Sequence, residues 1–519
     1  MHTYADLLLL ADAAEVIVDQ QPQHPTITAS TTTQPTDAAA TQEEPGGSGV
    51  AIEADDDPHR LARVNLEHYH ARTDGRTLAY WRQEWYVWKR NAYRKIDEKE
   101  LRAKLSMSIK QEFDRLNVAA QAMADERGRD DAGPILTQKV STALVTNVLQ
   151  ATSGMTCITA EIEPNTWLPT KERRHYISMA NGILDVDALL ADQDECLQPN
   201  TPQWFSQVNL PYALELNAVC PEWEAFLDYN LDQDPELVKL SQEWAGYLLT
   251  QSTDEQKFMI LEGEGKNGKS VFIAGVSAML GLENVSNVAL ENFGDRFQLT
   301  NTIGKLLNAA GDCGELDKTA EGLIKSFVAG DRMYFDRKGL SGFNAVPTAR
   351  LMVACNNRPR FSDRSDGIWR RMLVVPWTVA IDKQKRRKGM DKIVWWQASG
   401  ELPGMFLWAL RGLDRLRKQR DFTESEAMNK TIAEYKREMN PAKAFLVEMC
   451  DVVDLAQTTR GELYKLYGEW CKANGHSHAL SQMQFGKEVK RQFPKIQIER
   501  EATGDRPWYY SGLSVKKTF

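Results

Sequence analysis

Short continuous apolar runs, separated by stretches in which apolar residues recur every three or four positions, dominate the middle of the chain. The run from Phe258 stops at Gly263, and Val271, Phe272, Val276, Met279 and Leu280 then follow at helical spacing. Lys305–Asp312 and Ala349–Pro359 repeat the theme of an apolar strand ended by polar residues. Unbroken runs of this length fit strands buried on both faces. Upstream, Tyr80–Trp88 alternates aromatic with polar residues as a half-buried strand does, and Glu98–Leu116 has helical periodicity. Residues 135–250 alternate helical patterns with short strands. Downstream, Asn440-Pro441 breaks a helix. Phe445–Val453, Thr459–Ala473 and Ser481–Gln492 read as three more, and Ile496–Arg500 and Trp508–Leu513 as a hairpin pair around Gly504-Asp505. Residues from about 20 to 57 are rich in Thr, Gln, Pro, Ala and Gly and close on Asp55-Asp56-Asp57-Pro58. Such a stretch buries too little apolar surface to offset its ordering entropy, so residues 1–57 are expected to be a disordered acidic tail, with a short helix over Leu7–Ala14.

Charge changes the picture less than the total suggests. The formal net charge is −9, but residues 1–59 hold eleven acids and no Lys or Arg, which leaves 63 basic against 61 acidic residues. A near-neutral folded part has room for a local nucleic-acid surface. None of the seven cysteines forms a Cys-x-x-Cys pair or has a His at zinc spacing. They read as reduced core thiols of a cytosolic protein. Leu7–Leu10 is too short for a membrane span and lacks the basic flank of a signal peptide, so no membrane association is expected.

The chemistry concentrates at Gly263-Glu264-Gly265-Lys266-Asn267-Gly268-Lys269-Ser270. Strand, Gly-x-x-x-x-Gly-Lys-Ser and helix in that order make a phosphate-binding loop. Its backbone N–H groups turn toward a triphosphate, Lys269 reaches the β- and γ-phosphates, and Ser270 holds Mg²⁺. ATP and Mg²⁺ are therefore the expected cofactors. Asp312 ends an apolar strand about 40 residues beyond Lys269, where an NTPase places its metal-side carboxylate, and Glu315 is a candidate to orient the attacking water. Asn356, at the end of the next strand, is placed to sense the terminal phosphate or to act as a turn former before Pro359. Arg370 or Arg371 is placed to reach a neighbouring subunit's nucleotide. Three further features have two readings each. Tyr80–Trp88 with Arg82, Lys89, Arg90 and Arg94 is a β-hairpin core or a stacking platform for single-stranded bases. Asp185 and Asp187 follow an Asn-Gly turn and read as a turn entering a strand, or as half of a metal site. Lys383–Lys388 is a solvated loop or a phosphate clamp.

Taken together, these motifs resemble the superfamily 3 helicases of viruses and plasmids, in particular the phage and plasmid primase-helicases related to the poxvirus primase-helicase. The matching stretches are Gly263–Ser270, Lys305–Asp312, Gly330–Lys338, Val353–Pro359 and Gly367–Trp377. Asn181–Val186, Cys220–Trp223, Phe226-Leu227, Glu243 and Gly246-Tyr247 look like the helical domain that precedes the ATPase in that family. The resemblance covers residues 60–515. It implies an α/β fold with an AAA+-type P-loop ATPase core, an upstream mainly helical domain and a C-terminal winged helix. The domains expected are 58–134, a small α+β region; 135–240, helical; 241–381, the ATPase core; 382–439, a basic linker and helices; and 440–519, the winged helix.

Carried over residue by residue, the resemblance gives Lys269 and Ser270 to phosphates and Mg²⁺, Asp312 to the second acidic motif and Asn356 to the sensor. Arg337 and Lys338 fall on the hairpin that contacts DNA in the ring channel, and Arg370 or Arg371 is the finger. The implied activity is ATP-driven 3′–5′ translocation on single-stranded DNA by a homo-hexamer that unwinds forked DNA for a phage, plasmid or integrated element in a bacterial cytoplasm, with a primase or polymerase as partner. Many relatives have two adjacent acids where this chain has Gly311-Asp312, which leaves the catalytic base open. No primase pattern is read before residue 60, so priming activity is not expected. The alternative is an ATP-dependent replication initiator or loader that binds DNA without processive unwinding. Eight basic against four acidic residues in 481–519 suit a DNA-facing wing, or a docking module.

Overall fold

Five of the apolar runs pair in parallel and form the middle layer of the molecule. The computed structural model describes residues 53–516 apart from 128–133, 194, 296, 312–315, 317, 362–365, 383, 385, 477–478 and 501–506. Around its central sheet the strands are β1 Phe258–Glu262, β2 Val285–Ser286, β3 Leu307–Ala310, β4 Arg350–Cys355 and β5 Met372–Pro376, in the spatial order β2-β3-β4-β1-β5. All four pairings are parallel, with Met259 opposite Met352 and Leu373. Both faces are covered, which is why the strands read as continuous apolar runs rather than alternations. Met259, Leu261, Met352 and Val375 enter one core cluster, and Phe258, Ile260, Val353 and Val374 enter the other.

The first face is packed by helices α1 Pro235–Leu248, α2 Lys269–Leu280 and α3 Leu402–Gln419. Trp223 stacks on Phe272 of α2 with centroids 5.5 Å apart and meets Trp408 of α3 edge-on. Helices α1 and α3 cross on glycine. A Cβ at Gly246 would lie 2.4 Å from the Ala409 carbonyl oxygen, and one at Gly412 would lie 2.2 Å from that of Gln242. Beside this crossing, the fully buried Glu243 accepts hydrogen bonds from Arg415 at 2.6 Å and from the Thr423 amide at 2.7 Å. The second face is covered by Lys318–Ala329, by an antiparallel hairpin of Met333–Arg337 with Leu340–Ala345, and by Tyr435 of helix α4 Glu426–Met439.

The amino-terminal layer departs from expectation. Asp57 caps the helix Pro58–Tyr69 by accepting from the His59 and Arg60 amides; the tail expected before it, with the helix over Leu7–Ala14, lies outside the described residues up to residue 52. Tyr80–Trp88 is two strands, Leu78–Trp81 and Glu84–Lys89, split by Arg82 and Gln83, which both have positive φ (50° and 65°). Two residues at positive φ make the type I′ turn that matches strand twist. The helix expected over Glu98–Leu116 runs on to Glu126. Cys157–Ile158 adds a parallel strand to this sheet, and Thr142–Met155 packs on the first two helices. The layer thus continues past residue 134 to residue 158. Residues 135–240, expected to be mainly helical, hold several short strands. Asp185 caps the helix Val186–Leu190, and Asp187 pairs with Arg417 at 2.7 Å. The turn reading of Asn181–Asp187 accounts for both carboxylates.

At the carboxyl end, Pro441–Met449, Cys450–Thr459, Arg460–Ala473, Gln482–Gln492, Gln497–Arg500 and Trp508–Val515 follow as helix, strand, helix, helix, strand, strand. The three strands form an antiparallel sheet with Trp508–Val515 in the centre, the element order of a winged helix. The helix expected to reach Val453 ends at Met449, because Asp451 and Val452 pair with Ser514 and Leu513. Among the described residues no helix is long and apolar enough to cross a membrane.

Gly412→Val is expected to lower stability in urea unfolding by about 1–3 kcal/mol, since the helices must separate to admit the side chain. Gly322→Ala, in an exposed helical position where a Cβ meets nothing within 4 Å, is expected to raise it by about 0.5–1 kcal/mol. Equal midpoints for the two variants would remove the glycine crossing as a determinant of this layer.

Candidate nucleotide site

Strand β1 ends at Glu262, helix α2 begins at Lys269, and the six residues between them fold over the end of β5. Two of the three glycines are required by space. A Cβ at Gly263 would sit 2.3 Å from the Trp377 carbonyl oxygen and 2.3 Å from the Asn267 amide nitrogen. One at Gly268, where φ is +100°, would sit 2.8 Å from Asn230 Oδ1. Gly265 has open space, so its role is limited to backbone freedom. Asn267 Nδ2 donates to the Trp377 carbonyl at 2.6 Å and pins the loop to the strand beyond it.

Lys269 is buried, and oxygen atoms surround its ammonium. Nζ donates to the carbonyls of Gly263 at 2.5 Å and Glu264 at 3.2 Å, and to Oδ1 of both Asn267 and Asn356 at 3.2 Å. The structure therefore brings Lys269 and Asn356 together, 87 residues apart in sequence. It can do so because β4 lies beside β1 with Glu262 opposite Cys355. Ser270 is exposed at the first turn of α2.

A cavity of about 670 Å³ opens on this loop, walled by Tyr229, Asn230, Asn356, Arg386 and Arg387. Its lining carries Lys266, Lys269, Arg386 and Arg387 against Glu222 and Asp391, so it favours an anion. Arg387 pairs with Glu222, and Arg386 donates to the Ile381 carbonyl at 2.7 Å. These two arginines belong to the basic run read as a solvated loop or a phosphate clamp, and the fold places them in the wall of this cavity. Asp312 and Glu315 lie outside the described residues. The strand that leads to them, Leu307–Ala310, pairs with β4 next to the Asn356 end.

The remaining expected residues are dispersed. Arg370 and Arg371 precede β5 at the opposite end of the sheet, where the Arg370 carbonyl accepts from Lys257 Nζ at 3.0 Å. Five residues of strand, about 16 Å, separate that edge from the loop. Arg371 turns inward and donates to the Gly367 carbonyl at 2.6 Å, and its burial followed by the nearby charge of Arg370 holds its pKa below the usual arginine value. Arg370 faces solvent. On the hairpin, Lys338 is exposed, whereas Arg337 is 9% exposed and spends its guanidinium on the Arg82 carbonyl at 2.7 Å and the Ser341 carbonyl at 2.5 Å. Glu84 approaches it at 3.3 Å. Arg337 joins the hairpin to the first sheet.

One functional neighbour escaped the sequence. Arg358, two residues past Asn356, contacts Glu262 at 2.7 Å and Glu438 of α4 at 2.7 Å, with its guanidinium over the Tyr435 ring. Desolvation opposes its charge, but the hydrogen bonds and charges of Glu262 and Glu438 outweigh that and raise its pKa. The only advance signal was Glu434 and Glu438 at helical spacing.

Two family models match separate stretches of this chain. Residues 261–371 match a family described as of unknown function (DUF5906), and residues 440–517 match the RFX DNA-binding domain. A protein of Acanthamoeba polyphaga mimivirus named "Putative helicase L207/L206" is 21% identical over 345 residues, which are 61% of this chain and 35% of the relative. The chain thus spans about a third of that relative's length. Among solved structures, the A form apo structure of the NrS-1 C terminal region covers 88% of this chain and 100% of its own, at 13% identity and a TM-score of 0.45. Another apo structure of that region covers 89% and 100%, at 13% identity and a TM-score of 0.41. The chain is therefore similar to a viral protein named as a helicase, and it ends in a DNA-binding type of domain.

Arg358→Met is expected to cost about 1–3 kcal/mol in urea unfolding, because it strands the largely buried Glu262 carboxylate. Adding Glu262→Gln should recover much of that loss. If the single variant unfolds like the parent protein, the Arg358 pair contributes nothing to holding α4 against the site.

Proposed function

We propose that this chain is an ATP-dependent DNA helicase of the superfamily 3 type, with an AAA+ core, acting in replication of a mobile genetic element. The observation that carries the reading is the contact between Lys269 and Asn356 across neighbouring parallel strands. A loop lysine and a polar sensor meet only when the sensor strand lies between the loop strand and the acid-ended strand, as in the order β2-β3-β4-β1-β5.

The residues present fit a nucleotide triphosphate. The oxygens now around Lys269 Nζ are of the kind that incoming phosphates replace. Gly263–Ser270 would hold the phosphates, with Arg386 and Arg387 at the cavity mouth and the Tyr229 ring in its wall. Mg²⁺ held through Ser270 and Asp312 would supply charge neutralisation on the phosphates. Asp312 and Glu315 remain the candidates for the acidic roles.

The position of Arg370 supports a multi-subunit enzyme. Lying a strand length from its own loop and facing solvent, it can act on a nucleotide only from a neighbouring copy, while Arg371 stiffens the turn beneath it. In this reading the copies form a ring, and single-stranded DNA passes Lys338 as the ring moves 3′–5′. A second reading, an ATP-dependent initiator or loader, draws on one observation: the RFX DNA-binding domain match at 440–517.

Lys269→Ala is expected to lower ATP turnover by about two to three orders of magnitude without loss of folded structure by circular dichroism. Arg370→Ala should be similarly inactive alone. Mixing the two proteins should restore part of the activity, since hybrid interfaces pair an intact loop with an intact arginine. Normal turnover by Lys269→Ala would overturn the site, and mixtures as inactive as their components would overturn the role in trans.

A further inference from the structure

The first sheet and the 333–345 hairpin enclose a second cavity of about 950 Å³, which shares no lining residue with the nucleotide cavity. Its lining contains eight basic and three acidic side chains, where residues 60–519 as a whole hold 63 basic against 61 acidic. Five of the cations are held by protein atoms. Arg82 pairs with Glu163 and lies over the Trp81 and Phe343 rings. Arg94 donates to the Gln207 carbonyl at 2.8 Å, Lys305 to the Glu283 carbonyl at 2.5 Å, and Lys95 pairs with Glu84. Arg337 is committed as described above. These contacts build the walls and use up the Glu84 carboxylate.

Lys89, Arg90 and Lys338 are exposed on two hairpin turns at the rim. The first turn is rigid: Arg90 and Asn91 both have positive φ (51° and 62°), and Asn91 Nδ2 is anchored to the Met179 carbonyl at 3.0 Å. Inside the groove, Phe297 is 43% exposed and Leu340 is 40% exposed. Cations on hairpin turns around exposed apolar side chains match a strand whose phosphates and unstacked bases are both within reach. A duplex hides its base faces and leaves Phe297 and Leu340 unused.

We propose that this groove is a binding site for single-stranded DNA, running from Lys338 across to Lys89 and Arg90, with Phe297 stacking on a base. The site rests on the DNA-translocating reading above and extends the strand's path from the hairpin onto the first sheet. Phosphates would meet the rim turns, and the bases would face Phe297.

The test is fluorescence anisotropy of labelled dT20 with the full-length protein across a salt series, alongside ATP turnover without DNA. Lys89→Ala, Arg90→Ala and Lys338→Ala combined should weaken binding at least ten-fold and reduce the slope of log affinity against log salt by about two. Phe297→Ala should weaken binding roughly five-fold or more and leave the slope unchanged. Lys490→Ala with Lys495→Ala, in the carboxyl-terminal domain, should leave dT20 binding near that of the parent. DNA-independent ATP turnover should persist in all three, which separates a failure of this groove from a failure of the nucleotide site. Unchanged affinity and slope in the triple variant, or loss confined to the Lys490 and Lys495 variant, would overturn the proposal. So would a parent protein that binds no dT20 but is bound by an acidic polypeptide such as polyglutamate through the same three residues.

Discussion

The Gly263–Ser270 end of the sheet depends on how closely the loop after β1 is pressed against the chain leaving β5. Asn267 reaches the Trp377 carbonyl at 2.6 Å, and Gly263 and Gly268 leave no room for a side chain on that side. This one close approach fixes the loop's shape, and the shape fixes Lys269 at the centre of a ring of oxygens. Asn356 joins the ring only because β4 is in register with β1. A one-residue slip of β4 would turn its alternating side chains onto the wrong faces and carry Asn356 out of reach.

Two arginines, at opposite ends of the sheet, tie the surrounding elements to one another. Arg358 joins the last residue of β1 to the end of α4, and Asn440, the next residue after α4, begins the carboxyl-terminal domain. Arg337 joins the 333–345 hairpin to the first sheet through the Arg82 carbonyl and Glu84. Both guanidiniums are mostly buried and satisfied by several oxygens. Such pairs add less to stability than apolar packing of the same volume, but they tolerate few alternative geometries. The loop, the hairpin and the terminal domain are therefore tied by directional contacts, while the apolar clusters hold the sheet itself.

The motif at Gly263–Ser270 was legible because its signal is local: strand, glycine spacing and helix occur within about twenty residues. The helix starts at Thr459 and Ser481 were legible for the same reason, since a cap is written next to the helix it caps. Non-local pairings were not legible. Nothing near Cys157 announces a strand beside Tyr80, and the split of the aromatic run at Arg82-Gln83 needed positive φ at two residues that are not glycine. At Cys450 the apolar residues Val452 and Val453 extend a helical pattern, yet pairing with Leu513 wins. Charged residues misled most. Arg337 reads as surface and is buried, and Arg386 and Arg387, in a run with a solvated-loop and a phosphate-clamp reading, wall a cavity. Asp185, read beside a metal alternative, is a helix cap. For Arg337 and Arg387 a tertiary partner far along the chain decides the role.

Hydrolysis at this loop is proposed to drive strands of DNA apart. The direct measurement is displacement of a labelled strand from a forked duplex by the full-length protein, with Mg²⁺ and either ATP or a non-hydrolysable analogue. The account predicts release of the strand with ATP and none with the analogue. A protein that hydrolyses ATP and binds the fork, yet leaves it fully paired at every protein concentration, would contradict the helicase reading and favour an initiator or loader.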